Sequence, residues 1–285
     1  MHLQLDKNKI KSGLYIVSTP IGNLRDITLR ALEVLKKSDF ILCEDTRISK
    51  KLLSHYNINN NLISNHKFNE KSNIEKFINI LKSNKILSLI SDAGTPSISD
   101  PGKLLINECI AHNINIFSIP GPSSVLASIS VSGFSDKYYF YGFFPENNSE
   151  IKKNFELLSK LDSSIIFFIS AKKFNRSINV IKKYFLDREI LICKEITKYY
   201  EEYFRSDVSE LDKKNINLRG EITLVISERK SINKTSNNLS ESDKTKIRKM
   251  IKKFTVKEIV DLIKDGKNIP KKEIYNYCLK IKNEK

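Results

Sequence analysis

Leu89-Ile90-Ser91-Asp92-Ala93-Gly94-Thr95-Pro96-Ser97-Ile98-Ser99-Asp100-Pro101-Gly102 is the stretch that decides the fold. The apolar run Lys85 to Ile90 before it reads as a short buried strand. The strand ends in small residues, and a second turn signal, Asp100-Pro101-Gly102, follows at once. Lys103 to His112 then reads as a helix, with Leu104, Leu105, Ile106, Ile110 and Ala111 apolar. A glycine-containing loop between the C-terminal end of a strand and a helix is where open α/β sheets bind ligands. Gly94 permits close approach of backbone to a ligand, and Pro96 and Pro101 restrict the loop. Taken alone, the stretch is equally compatible with a tight βα turn that binds nothing. Neither G-x-G-x-x-G nor G-x-x-x-x-G-K-[ST] is present, so the loop carries neither a Rossmann fingerprint nor a Walker A sequence.

Three further strand ends carry loops of the same kind. Gly13 to Ser18 is a strand that runs into Thr19-Pro20-Ile21-Gly22-Asn23-Leu24. Asp26 or Thr28 is placed to cap the helix that follows. Phe40 to Cys43 is a strand delivering Glu44-Asp45-Thr46-Arg47: two carboxylates, a hydroxyl and a guanidinium in a row. The plainer account of that cluster is that Asp45 or Thr46 caps the next helix and Arg47 is a surface charge. Ile114 to Ile119 is a strand ending in Pro120-Gly121-Pro122-Ser123-Ser124, and Ser123 to Val131 is a helix of small residues able to approach a ligand or another helix. Leu62 to His66 adds a short strand, and Ile74 to Leu81 an amphipathic helix. Repeated β-α units predict a mostly parallel sheet covered on both faces over residues 12–133.

The pattern changes at Gly133. The aromatic strand Lys137 to Phe144 opens a second α/β, or α+β, domain over 137–228, with further strands at Ser164 to Ser170, Glu189 to Cys193 and Gly220 to Ile226, and helices at Ile151 to Leu161 and Asn175 to Phe185. Ser231 to Ser242 reads as a polar linker, followed by a basic segment and two short helices, Thr255 to Ile263 and Lys271 to Ile281, with Thr255 and Glu258 forming a capping box. Residues 229–285 are thus expected to be a linker and a basic helical tail.

The 285 residues suffice for two domains with full cores. No apolar run reaches the roughly 18 residues of a membrane span, and the N-terminus lacks a signal-peptide core, so the expected location is cytoplasmic, away from any membrane. Cys43, Cys109, Cys193 and Cys278 are scattered, which predicts reduced buried thiols and no metal site. The net charge is +16, and Glu228 to Lys285 alone holds 17 basic and 8 acidic residues. That favours a polyanionic partner. However, 40 of the 49 basic residues are Lys and only 9 Arg, with Asn and Ile also abundant, so part of the excess reflects coding bias.

TPIGNLRDIT, EDTR, SDAGTPSISDPG and PGPSS occur in that order, each at an expected strand end. In this the chain resembles the tetrapyrrole methylase family, the class III S-adenosylmethionine (SAM) methyltransferases, and within it the enzymes that methylate the 2′-hydroxyl of a cytidine ribose in 16S ribosomal RNA. The resemblance runs from about Gly13 to Val225. It implies an α/β, tetrapyrrole-methylase-like two-domain fold with a small helical C-terminal extension, SAM bound between the domains, 16S rRNA or the 30S small ribosomal subunit as substrate, and a homodimer. It also implies that Asp92, Ala93, Gly94, Thr95, Pro96 and Ile98, with Thr19, Pro20 and Gly22, Ser123 and Ser124, and Ile169, hold the cofactor. One block departs from the family: where it reads F-Y-E-[AS]-x-H-R, this chain has Phe167-Phe168-Ile169-Ser170-Ala171-Lys172-Lys173.

A ribose hydroxyl is a weak nucleophile until its proton leaves, so a carboxylate is sought as general base. Asp26, Glu44, Asp45, Asp92 and Asp100 are candidates. The reading adopted is Glu44 or Asp45 for proton removal and Arg47 to orient substrate, with Asp92 and Asp100 shaping their own turns. Tyr199, Tyr200, Tyr203 and Phe204 are candidate base stackers or packing residues. Two alternatives remain: methylation of a small acceptor in a tetrapyrrole or diphthamide pathway, and a non-catalytic RNA-binding module.

Overall fold

A computed structural model describes residues 10–213, 218–229, 239, 241–251, 253–264 and 269–283. The chain divides into two compact units, Met1–Glu228 and Arg229–Lys285. Residues 231–238 of the expected linker, and Gly266, lie outside the described residues.

The first sheet contains β1 (Gly13–Val17), β2 (Phe40–Cys43), β3 (Asn61–Ser64), β4 (Ile86–Leu89) and β5 (Ile116–Ile119). Its order is β3-β2-β4-β1-β5 and every pairing is parallel. Side chains alternate between faces along β1. Leu14 and Ile16 enter a core with Phe77 and Leu81 of α3 (Glu70–Lys82) and Leu105 of α4 (Lys103–Ala111). Tyr15 and Val17 enter a core with Val34 and Leu35 of α1 (Leu29–Lys37) and Leu53 of α2 (Thr46–His55). Both faces are covered, as an all-parallel sheet requires. Of the two expected caps for α1, Thr28 is the one used, its hydroxyl accepting from Ala31 N–H.

The second sheet contains β6 (Tyr138–Phe143), β7 (Ser164–Ser170), β8 (Glu189–Lys194), β9 (Glu202–Asp207) and β10 (Glu221–Ile226), in the order β6-β7-β10-β8-β9. Only β6–β7 is parallel. One face packs on α6 (Asn148–Leu158) and α7 (Ala171–Phe185) through Phe155, Phe167, Phe174 and Phe185. The other face receives α5 (Ser124–Ser130), where Val125 meets Ile166, Leu191 and Val225. The small residues of α5 therefore serve close packing of a helix from the first half onto the sheet of the second. That packing binds the two sheets into a single unit.

β9 has no counterpart among the strands expected from sequence. Its alternation is masked by a charged run, Glu202-Tyr203-Phe204-Arg205-Ser206-Asp207, that suits an edge strand. Tyr203 and Phe204 pack on opposite faces of the sheet, which removes them as base stackers, whereas Tyr199 and Tyr200 stay 93% and 69% exposed. The fully buried Arg188, just before β8, donates to the carbonyls of Ser159, Leu161, Ser163 and Ser227 at 2.7–3.1 Å. It thereby ties the end of α6 to the start of β7 and the end of β10.

Among its described residues the C-terminal unit has three helices, α8 (Glu241–Met250), α9 (Val256–Lys264) and α10 (Lys271–Asn283), around Ile247, Ile259, Ile263, Ile274 and Cys278. The expected capping box opens α9: Glu258 Oε2 accepts from Thr255 N–H at 2.7 Å, and Glu258 N–H donates back to Thr255 Oγ1. In sequence α8 reads only as a basic segment, because Ile247 is its one fully buried apolar side chain. All four cysteines are buried and free. Among the described residues no helix is long and apolar enough to cross a membrane.

Candidate active site

β4 lies between β2 and β1, so its C-terminal loop meets the loops of both neighbours. Thr19 and Gly94 exchange two backbone hydrogen bonds, 2.9 and 3.0 Å. Thr95 Oγ1 contacts Ser18 Oγ at 2.9 Å and donates to the carbonyl of Pro122 in the loop after β5. On the other side, Asp92 Oδ1 accepts from Asp45 N–H at 3.1 Å. The loop after β4 is thus the hub that holds the three other strand-end loops in register with it. Its path demands unusual backbone: Gly94 has φ +79°, Gly102 φ +130°, and Ser97 and Ser99 also lie in the left-handed region. At Gly102 a Cβ would also approach Leu89 Cδ2 to 2.6 Å, so only glycine fits.

Glycine at the head of α4 leaves that helix without a side-chain cap of its own. Glu70, on α3, supplies one. Its carboxylate is 5% exposed, and Oε1 accepts from the N–H groups of Leu104 and Leu105 at 3.1 and 3.2 Å. Nothing in local spacing reveals a cap delivered from 34 residues upstream. Glu70→Ala is expected to cost about 1–2 kcal/mol in urea unfolding and to weaken donor binding measured by calorimetry, because the loop ahead of α4 loses its anchor.

A cavity of about 800 Å³ opens between the two sheets. From the first half Ile21, Glu44, Asp92, Ala93, Asp100 and Ser124 line it, and from the second Phe168, Ile169, Ser170, Lys173, Ile196 and Thr223. A depression of about 710 Å³ at the opposite end of the first sheet, by Lys11, Asp39 and Lys85, sits at strand N-termini, away from the functional edge.

Among the expected cofactor residues, Asp92, Ala93, Ser124 and Ile169 line the cavity. Thr19, Gly94 and Thr95 brace its wall through the bonds given above, and Pro20 and Pro96 are buried behind it. Ser123 caps α5. Gly22 and Ile98 take other places. A Cβ on Gly22 would strike Lys198 Cγ at 2.4 Å, and Asn23 N–H donates to Thr197 Oγ1, so this turn docks the first half on the second. Ile98 is 47% exposed and off the cavity wall.

Glu44, Asp92 and Asp100 stand on the first half's wall of the cavity, and burial pushes each one up. Asp100 rises to about 6, through desolvation and then the neighbouring Glu44 charge. Glu44 is raised by desolvation and by Asp92, and Asp92 by its own desolvation. Asp45 is the exception. Its carboxylate takes a forked pair of hydrogen bonds from Arg47, Nε to Oδ1 at 3.1 Å and Nη2 to Oδ2 at 2.6 Å, caps α2 through Arg47 N–H, and is pulled down to about 2. So acidic a carboxylate is a poor proton acceptor. Asp45 serves as the helix cap of the plainer reading, whereas Glu44 faces the cavity. Asp100, a candidate carboxylate with turn shaping as its preferred role, lines the cavity. In the block that departs from the family, Ile169 gives the cavity an apolar surface, and Lys173 Nζ donates to the carbonyl of Phe144 at 2.6 Å.

The donor set suits SAM: apolar side chains from both halves for an adenosine, and carboxylates to face a sulfonium cation. Residues 13–212 match the family model of Tetrapyrrole (Corrin/Porphyrin) Methylases. A ribosomal RNA small subunit methyltransferase I from Rickettsia prowazekii (strain Madrid E) is 40% identical over 96% of this chain and 98% of its own length. The chain belongs to the ribosomal RNA small subunit methyltransferase I family. Its relative of that name in Bacillus subtilis (strain 168) is 36% identical over 92% of both chains. The fold is also that of the uroporphyrin-III C-methyl transferase of Thermus thermophilus complexed with S-adenosyl homocysteine, with a TM-score of 0.53, 13% identity, and 76% of this chain and 97% of that one covered. This member of the methyltransferase I family is accordingly a SAM-dependent methyltransferase.

Proposed function

We propose that this protein methylates the 2′-hydroxyl of a cytidine ribose in 16S ribosomal RNA of the small subunit, using SAM. The observation that carries the reading is 40% identity, over nearly the full length of both chains, to a protein named for methylation of small subunit ribosomal RNA, together with a cavity whose carboxylates suit the chemistry. SAM supplies an electrophilic methyl group on a sulfonium. The protein's part is alignment and proton removal. Glu44, with its basicity raised by burial and by Asp92, takes the hydroxyl proton as the ribose oxygen bonds to the methyl carbon and the carbon–sulfur bond gives its electrons to sulfur. Asp92 and Asp100, on the cavity wall, would supply negative charge to a bound sulfonium. Arg47, locked by Asp45, orients the substrate. Asp92, Ala93, Ser124 and Ile169 line the donor site, with Thr19, Gly94 and Thr95 as its frame.

Labelled SAM with purified 30S subunits or free 16S rRNA tests the reading. Label in a 2′-O-methyl cytidine is the expected result. Label that enters only a tetrapyrrole or a protein overturns it.

The net charge of +16 supports a phosphate-led association. Affinity for the RNA is expected to fall at least about ten-fold over about a four-fold rise in salt concentration, measured by filter binding. An affinity indifferent to salt would remove the electrostatic mode. The proposal includes a cytoplasmic location and a homodimer. Light scattering should return twice the 32.9 kDa of the chain.

A further inference from the structure

A second groove, of about 490 Å³, adjoins the donor cavity, and Glu44 and Asp92 belong to the walls of both. We propose that this groove seats the acceptor nucleotide, its base stacked on Phe68, its backbone phosphate met by Arg47 and Lys67, and its ribose directed at Glu44. The inference deepens the ribosomal RNA reading and rests on it.

The groove falls within the size range of small-ligand sites. Its shared wall puts whatever occupies it against the carboxylates of the donor cavity, which is the relation two substrates of a direct transfer must have. At its rim Phe68 is 92% exposed, a phenyl ring that gains nothing from the core.

The backbone that carries the ring is nevertheless held in place. His66 packs edge-on to it at 6.1 Å, and Phe68 N–H donates to His66 Nδ1 at 3.3 Å. His66 N–H in turn donates to Asn69 Oδ1 at 2.7 Å, and Asn69 Nδ2 to the Ser64 carbonyl at 3.2 Å. An exposed aromatic face on a braced backbone is what an unpaired base stacks upon.

The charges complete the pattern. Arg47 spends two donors on Asp45 and keeps the remaining guanidinium donors on a side chain 86% exposed. Lys67 is exposed and makes no ion pair among the described residues. Cations and a ring at the rim with carboxylates at the floor match a nucleotide entering with its phosphate outward and its hydroxyl inward.

The test uses the full chain, 30S subunits and labelled SAM, with Phe68→Ala, Phe68→Tyr and Lys67→Ala. Phe68→Ala is expected to raise the KM for RNA by about ten-fold or more, while S-adenosylhomocysteine affinity by calorimetry and the melting temperature stay at wild-type values. Phe68→Tyr, which keeps the ring, restores the KM. Lys67→Ala is expected to lower the salt slope of RNA affinity by about one. Wild-type KM and RNA affinity in Phe68→Ala overturn the proposal. A wild-type protein that labels no RNA is instead a failure of the ribosomal RNA reading. Filter binding then still decides the groove: weaker RNA binding by Phe68→Ala upholds it, and equal binding overturns it.

Discussion

Glu44→Gln is expected to slow methyl transfer by about 10²- to 10⁴-fold, the usual worth of a positioned general base. Glutamine keeps the size and one acceptor but cannot take a proton, so affinity for S-adenosylhomocysteine should change only a few-fold. Single-turnover transfer of label, with calorimetry in parallel, separates the two quantities. Asp45→Asn should behave differently. Its carboxylate anchors Arg47 and is pulled down to about 2, so its loss should raise the KM for RNA more than it lowers kcat. Full turnover in Glu44→Gln would return the role of base to Asp100 or Asp92.

The same carboxylates set a pH dependence. They share one space and titrate as a group, with Asp100 near 6. Turnover should therefore fall in acid, as Glu44, its proton affinity raised by burial and by Asp92, becomes protonated. Stability moves the opposite way. A carboxyl raised in the folded state favours folding when protonated, so the contribution of Asp100 is complete below its ordinary value of 3.8 and is lost as pH rises through about 6. Without donor the protein should melt at a higher temperature at pH 5 than at pH 7.

Arg188→Leu is expected to destabilise the first unit by about 3–5 kcal/mol, since each buried carbonyl left without a donor costs about 1–3 kcal/mol. The guanidinium is fully buried and serves at least four carbonyls, three in the turn of residues 159–163 and one at Ser227 beyond β10. Leucine restores apolar volume and supplies no donor. Lysine fails for a different reason, because a single ammonium cannot reach acceptors spread around a planar fork. Urea unfolding monitored by circular dichroism reads the loss. A change below about 1 kcal/mol, by contrast, would mean that water replaces the side chain. Arg188 lies far along the chain from the carboxylates, so full donor affinity in the surviving folded fraction separates stability from chemistry.

Much of this architecture is legible in the amino-acid sequence. The four loops announce themselves because small residues, prolines and caps follow apolar runs, and the parallel order then gathers every such loop on one edge. Thr19, Asp92, Gly94 and Ser124 stand out in that way. What stays hidden depends on long-range placement. Glu70 caps a helix 34 residues on, and Phe68 acquires meaning only when the end of β3 lies beside that of β2. Asp45 and Glu44 are neighbours in sequence with opposite acidities, because one meets Arg47 and the other faces a desolvating cavity. β9 escapes a pattern reading since its charged residues hide the alternation.

The order of strands in the second sheet bears on how the chain is made. β10 is last in sequence and sits between β7 and β8, which do not pair with each other. The first sheet is complete once Ile119 has emerged from the ribosome, whereas the second stays open until Ile226 does. During synthesis the nascent chain thus presents one wall of the cavity well before the other closes over it, and the enclosed space is complete only when this unit has been translated.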